Sequence, residues 1–140
     1  MGIAGFAAAV RDGMAHRAES AARLDELSQR LIGGLADSEI TVNLPAAHAP
    51  HIVNITLPQI KSETMLHFLS SRGVAVSSGS ACSSHASGPS KTLLAFGLTP
   101  AAADCSLRIS FSAQNTAADV DALLAALREG CATLIRIRRK

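Results

Sequence analysis

Gly73-Val74-Ala75-Val76-Ser77-Ser78-Gly79-Ser80-Ala81-Cys82-Ser83-Ser84 is a glycine, a short apolar run and then a small, polar, glycine-containing loop around one cysteine. The twelve residues read as helix end, strand and loop. Glycine is the usual left-handed cap of a helix, so Gly73 closes a helix whose start is Ser62-Glu63 and whose apolar side is Met65, Leu66 and Leu69. Val74 to Val76 is then a three-residue strand that delivers the loop holding Cys82.

The same alternation extends outward in both directions. Upstream, Phe6 to about Leu35 reads as one long amphipathic helix: Phe6, Val10 and Met14, then Leu24, Leu27 and Leu31, recur at three- and four-residue steps. Gly33-Gly34 is its expected stop. Ile40 to Leu44 is a candidate strand, Pro45 to Pro50 a loop, and His51 to Leu57 a strand rich in β-branched residues. Downstream, Pro89 or Ser90 opens a helix through Phe96 that Gly97 ends, and a helical turn follows Pro100. Leu107 to Phe111 is a strand. Thr116 and Asp119 form a capping box for a last helix with Val120, Leu123, Leu124 and Leu127. Arg136, Arg138, Arg139 and Lys140 follow at its basic end, which suits the helix dipole. Helices alternating with short strands predict an α+β two-layer sandwich, a small mixed sheet with helices on one face. Residues 1–140 read as a single domain, with no internal repeat and no long linker.

Composition narrows the class. At 140 residues, 48% of them apolar, the chain is long enough to bury a core and too apolar for disorder. A net charge of +2 gives no electrostatic case for nucleic acid, and four phenylalanines with no Trp or Tyr make no stacking platform. No apolar run approaches membrane-spanning length. The apolar opening lacks the basic leading segment of a signal peptide, and Phe6 stands where myristoylation wants Ser or Thr. Three widely spaced cysteines, at 82, 105 and 131, argue against a disulfide framework and for a reducing compartment, so a cytoplasmic location is expected.

Two residues stand out for chemistry. A thiol in a small mobile loop suits a nucleophile that must reach a substrate, although most lone cysteines are inert and a Ser/Gly-rich loop is commonly just a turn. Arg108, in Leu107-Arg108-Ile109-Ser110, lies on the strand face opposite its two apolar neighbours. That placement suits either a fork for a carboxylate or a solvent-facing arginine. Weaker patterns are incomplete. Cys82 with His85, and His48 with His51, are two half-sites without a full zinc ligand set. Gly79-Ser80-Ala81 is not a nucleophile elbow, so Ser80 and His85 make a poor hydrolase pair. The loop's backbone N–H groups are also able to cradle an anion. Cys105 and Cys131 read as packing residues.

Taken in order, Ser77-Ser78-Gly79-Ser80-Ala81-Cys82-Ser83-Ser84, Gly88-Pro89-Ser90, Leu93 to Leu98, Ser106 to Ser110 and Asn115 to Asp121 resemble the C-terminal part of a cysteine desulfurase. These are pyridoxal 5'-phosphate enzymes of the class-V aminotransferase group, and the serine-rich wording around Cys82 resembles the iron–sulfur-assembly branch. The resemblance runs from about Gly2 to about Leu127. It implies the small domain of a fold-type I enzyme, with the first helix leading to the large domain. It implies that Cys82 accepts sulfur from L-cysteine as a persulfide, leaving L-alanine, and that Arg108 grips the substrate's α-carboxylate. It also implies a homodimer in the complete enzyme and a sulfur-acceptor protein for iron–sulfur cluster or thio-cofactor assembly.

The resemblance also marks what this stretch lacks. Relatives carry the cofactor lysine in a Ser-x-His-Lys motif, whereas the lysines here are Lys61, Lys91 and Lys140, none in that setting. Many relatives have Gly-Arg where Ser112-Ala113 stands. The expectation is a fragment, an excised domain or half of a split enzyme. Its PLP-binding large domain is missing, no cofactor is bound by this chain alone, and the chain is inactive by itself. The other reading is a non-catalytic persulfide carrier or dimerisation module.

Overall fold

In the computed structural model, which describes residues 2–78 and 90–136, a four-stranded sheet carries helices on its apolar face. Helix α1 (Gly2–Ala15) leads into α2 (Arg17–Leu35), then β1 (Thr41–Asn43), β2 (Ile52–Thr56), α3 (Ser62–Ser70) and β3 (Ser77–Ser78). After these come α4 (Lys91–Ala95), α5 (Pro100–Asp104), β4 (Ser106–Ser110) and α6 (Ala117–Thr133). The strand order is β1-β2-β4-β3.

Period-2 alternation sorts the two sheet faces. Val53 and Ile55 pair with Ile109 and Leu107 across β2 and β4, and all four are buried. They share one core with Leu27, Leu31 and Leu35 of α2, Met65 and Leu69 of α3, and Val120, Leu123, Leu124 and Leu127 of α6. The two-layer α+β architecture is therefore as the sequence implies. One detail differs: every strand pair is antiparallel, where a mixed sheet is expected. Strands β2 and β3 do run the same way, joined through α3, but β4 lies between them and takes both their inner edges.

Local chemistry explains where elements begin and end. Gly73 (φ +76°) follows α3 with Gly73 N–H donating to Ser70 and Val74 N–H to Leu69, the two-bond left-handed termination. Gly97 (φ +100°) ends the α4 segment in the same manner, through Leu94 and Leu93. The cap on α3 uses Val74, so the strand is Ser77–Ser78 rather than Val74–Val76, whose valines instead pack at the core's margin. The Thr116/Asp119 capping box is present in both directions.

Three expected boundaries shift. The long first helix is two helices broken at His16 (φ −104°, ψ 4°), whose ring Nδ1 lies 3.0 Å from the Asp12 carbonyl and competes there with the backbone. Helix α2 does not stop at Gly33-Gly34 but runs to Leu35, which is buried. A Cβ on Gly34 would collide with Leu124, so this glycine admits α6 rather than ending α2. Helix α6 ends at Thr133, and Arg136 lies beyond it, paired with Glu39 instead of the helix dipole. Arg138, Arg139 and Lys140 lie outside the described residues. No helix among the described residues is long and apolar enough to cross a membrane.

Candidate functional site

The sheet's other face is polar, and Arg108 stands in its middle. Across the ladder Arg108 is opposite Asn54 of β2 on one side and Ser77 of β3 on the other. Even periodicity puts all three on the face away from the core. The Arg108 guanidinium is exposed, and Nη2 donates to Ser77 Oγ at 3.5 Å, a loose tether.

Arg108 has no acidic partner among the described residues; it differs in this from three other arginines of the fold, which are ion-paired, though not from Arg23 and Arg128, which bond backbone carbonyls. Arg30 is bidentate on Asp121, Arg72 lies on Glu129 and over the Phe68 ring, and Arg136 is on Glu39. Among the described residues no carboxylate pairs with Arg108. An arginine held beside neutral amide and hydroxyl groups retains its full fork for an incoming carboxylate.

Asn54 is fixed by a hydrogen-bonded network that the sequence reading did not identify. Asn43 Nδ2 donates to Asn54 Oδ1 (2.8 Å) and to Thr56 Oγ1 (2.7 Å). Asn54 Nδ2 donates to the Leu107 carbonyl at 3.1 Å. Thr56 Oγ1 and Ser106 Oγ are 2.9 Å apart, and Ser106 Oγ donates to the Ala102 carbonyl. The network therefore crosses β1, β2 and β4 into α5, and no buried polar side-chain atom is left unpaired among the described residues. Its signal in the sequence is the polar member of each alternating pair, Asn54 and Thr56 among Val53, Ile55 and Leu57.

Beside this platform opens a cleft of about 540 Å³. Asn43, Ile52 and Asn54 line it from the sheet, Pro45 and His48 from the loop, and Leu93 and Phe96 from the α4 segment. The His48 ring Nδ1 lies 3.1 Å from the Pro45 carbonyl, a local turn contact. Among the described residues no three His, Cys, Asp or Glu side chains converge as metal ligands.

Of the two sequence-derived site residues, only Arg108 is described. Cys82 and His85 lie outside the described residues. In sequence, Cys82 follows Ser77, the cross-strand neighbour of Arg108, by five positions. The other two cysteines are placed as packing residues: Cys105 is buried and Cys131 half-buried. Burial pushes both thiols up from their ordinary values, which lowers their thiolate content near neutrality.

Neither lysine among the described residues fits a covalent pyridoxal anchor, and Lys140 lies outside them. Lys61 is exposed and reaches Asp104 at 3.8 Å, and Lys91 is exposed at the start of α4; neither lines the cleft.

Comparison with known proteins identifies the family and the fold. The profile of the aminotransferase class-V family matches residues 1–123. The cysteine desulfurase IscS of Clostridium botulinum is 37% identical over 131 residues, covering 90% of this chain and 33% of that protein. The cysteine desulfurase IscS of Methanosarcina thermophila is 35% identical over 130 residues, covering 91% of this chain and 32% of that protein. Among solved structures, a NifS-like protein from Rickettsia africae superposes with a TM-score of 0.70 at 25% identity, over 81% of this chain and 29% of that one. Another NifS-like protein shares the fold with a TM-score of 0.75 at 24% identity, over 86% of this chain and 30% of that one. The chain thus spans about a third of the length of the curated relatives it matches.

Proposed function

Because the chain belongs to the class-V aminotransferase family, we propose that it is the small-domain third of a cysteine desulfurase, with Arg108 as carboxylate anchor and Cys82 as sulfur acceptor. The observation that carries this reading is Arg108 itself, presented on a polar sheet face beside Asn54 and Ser77 with no carboxylate partner among the described residues. Similarity to proteins named cysteine desulfurase over nine-tenths of the chain supports the choice of amino-acid substrate.

Each residue's task follows from its chemistry. Arg108 takes the α-carboxylate of L-cysteine in a bidentate grip, with Ser77 and the Asn43–Asn54 network limiting the fork's drift. Cys82 acts as thiolate on the substrate sulfur. A sulfur–sulfur bond forms, the substrate's carbon–sulfur bond breaks, and its electron pair stays on carbon. Carbon takes a proton, so one cysteine and one enzyme thiol become alanine and one enzyme persulfide. The persulfide then passes to an acceptor protein for iron–sulfur cluster or thio-cofactor assembly. Pyridoxal 5'-phosphate is the family's electron sink, and its anchoring belongs to the large domain outside these residues. The isolated chain is accordingly inactive, and the complete enzyme is a homodimer.

The test is made in a complete enzyme containing this domain. Arg108→Lys raises the KM for cysteine by about tenfold or more, because one bidentate charged grip is worth roughly 1.5–3 kcal/mol. Cys82→Ser leaves cysteine binding intact and removes persulfide and alanine formation. Full sulfur release by Cys82→Ser would sink the assignment. A persulfide carrier without desulfurase activity would instead load Cys82 from an external persulfide and be indifferent to Arg108→Lys.

A further inference from the structure

Ser77 meets Arg108 twice. In the β3–β4 ladder the two are direct cross-strand partners on the polar face. Ser77 Oγ also accepts from Arg108 Nη2 at 3.5 Å, the single hydrogen bond that the guanidinium makes among the described residues. The hydroxyl end of this contact is placed by the backbone. Gly73 and Val74 close α3 with N–H bonds to Ser70 and Leu69, and Val76 packs at the margin of the core, so the next residue turns its side chain to the other face. A serine has one torsion before its oxygen, whereas the arginine fork stands at the end of four. The serine is the rigid end of the contact and the fork is the mobile one.

Which atom is held decides what the fork can still do. A guanidinium receives a carboxylate with two parallel N–H bonds along either of two edges, Nε with Nη2 or Nη1 with Nη2. Both edges are used in this fold. Arg30 grips Asp121 and Arg72 grips Glu129 through Nε and Nη2, while Arg136 grips Glu39 through Nη1 and Nη2. Nη2 belongs to both edges, with one of its two N–H groups in each. The N–H spent on Ser77 therefore closes one edge as a two-bond site and leaves the other whole. A neutral hydroxyl does this without supplying the negative charge that would fill the site. At 3.5 Å the hold is loose enough for the fork to settle as a ligand arrives.

We infer that Ser77 is the positioning residue that selects which edge of the Arg108 fork is presented to the substrate carboxylate. The inference rests on the desulfurase reading above and adds how one exposed arginine holds an amino acid in a single orientation. A carboxylate docked on the other edge is turned about the guanidinium, and the amino acid's sulfur swings with it, away from the reacting groups. The flanking residues do not perform this task. Ser78 is paired with Leu107, on the core side of the ladder. Asn54 commits its Oδ1 to Asn43 and its Nδ2 to the Leu107 carbonyl, which steadies the strands and makes no bond to the fork.

Steady-state kinetics of a complete enzyme containing this domain test this. Without the Ser77 hydroxyl the fork spreads over three staggered wells and about one third of the molecules stay competent. Ser77→Ala therefore raises the KM for cysteine about threefold and leaves kcat unchanged. Ser77→Thr, which keeps the hydroxyl, returns the parent KM. Ser77→Asp sets a carboxylate on the fork and raises KM about tenfold or more. Lysine has no edges to select between, so on the Arg108→Lys background Ser77→Ala adds nothing further. A KM unmoved by Ser77→Ala beside one raised by Arg108→Lys would overturn the inference and leave the carboxylate anchor standing. So would a Ser77→Ala effect that multiplies with that of Arg108→Lys, or one that falls on kcat alone, since a merely structural serine behaves in those ways. A KM unmoved by Arg108→Lys itself would remove the anchor, and the selection of its edge with it.

Discussion

The two faces of the same sheet obey different rules one residue apart. Leu107 points into the helices and is fully buried; Arg108 points the other way, exposed, between Asn54 and Ser77. The core face is held by burial and tolerates little loss of volume. The polar face is held by a hydrogen-bonded network, and its central residue is tethered by one long hydrogen bond. Stability and the proposed chemistry are therefore separated by strand geometry: period 2 puts Leu107 on one face of β4 and Arg108 on the other.

The largest expected effect breaks that comparison at its sharpest point. Leu107→Ala removes a fully buried side chain and costs about 3 kcal/mol, within the range for large-to-small core changes. For a chain of this size that lowers the thermal midpoint by roughly 10 °C. Arg108→Ala, next in sequence, leaves the midpoint within about 2 °C, since exposed substitutions usually stay within ~0.5 kcal/mol. Thermal unfolding of the two variants side by side reads both. A large drop for Arg108→Ala would mean the residue is structural and would remove the chief support for its role as a carboxylate anchor.

A smaller effect belongs to the network that flanks Arg108. Asn43→Ala deletes the donor to both Asn54 Oδ1 and Thr56 Oγ1, leaving the part-buried Asn54 Oδ1 unpaired and Thr56 Oγ1 with Ser106 Oγ alone. The expected loss is about 1–2 kcal/mol, seen in denaturant unfolding. In a complete enzyme, Asn43→Ala raises the KM for cysteine less than Arg108→Lys does. Unfolding unchanged by Asn43→Ala would show that water replaces the network at no cost, and that Asn54 is not held in place beside Arg108.

This network marks the limit of what single-sequence reading supplies. The Thr116/Asp119 box, the Gly73 and Gly97 caps and the alternation in β2 and β4 are local, each decided by residues within a few positions of one another. They were legible, and with them the α+β layering. The position of β3 was not, because Ser77–Ser78 becomes a strand only by pairing with Arg108, thirty-one residues on in the chain. The continuation of α2 through Gly34 depends likewise on α6, ninety residues downstream of it, arriving against a missing Cβ. For the site, Arg108 was legible as an outward arginine, and its proposed carboxylate role comes from family resemblance. Asn54 and Asn43 were not, since their meaning comes from cross-strand register.

The smallest expected effect concerns acid. Asp121, Glu129 and Glu39 are held below their ordinary carboxylate values mainly by hydrogen bonds from Arg30, Arg72 and Arg136. Asp119 is lowered chiefly by the backbone N–H of Thr116 in the capping box. A carboxylate whose value is depressed on folding stabilises the fold above its unfolded value, near 4, and loses that contribution as pH falls through its folded value. The thermal midpoint is therefore expected to be flat from pH 7 to about 5 and to fall gently below about 4. All four carboxylates are exposed, so solvent screening keeps each contribution small, and salt weakens the three arginine pairs. Repeating the acid scan in 1 M salt separates the parts. The portion due to the arginine pairs shrinks, whereas the Asp119 cap, a hydrogen bond to backbone within one helix turn, persists and is removed by Asp119→Asn. An acid transition that survives both high salt and Asp119→Asn would require a titrating group elsewhere. The contrast between a core held by burial and a surface held by polar contacts would then need a further carboxylate to account for it.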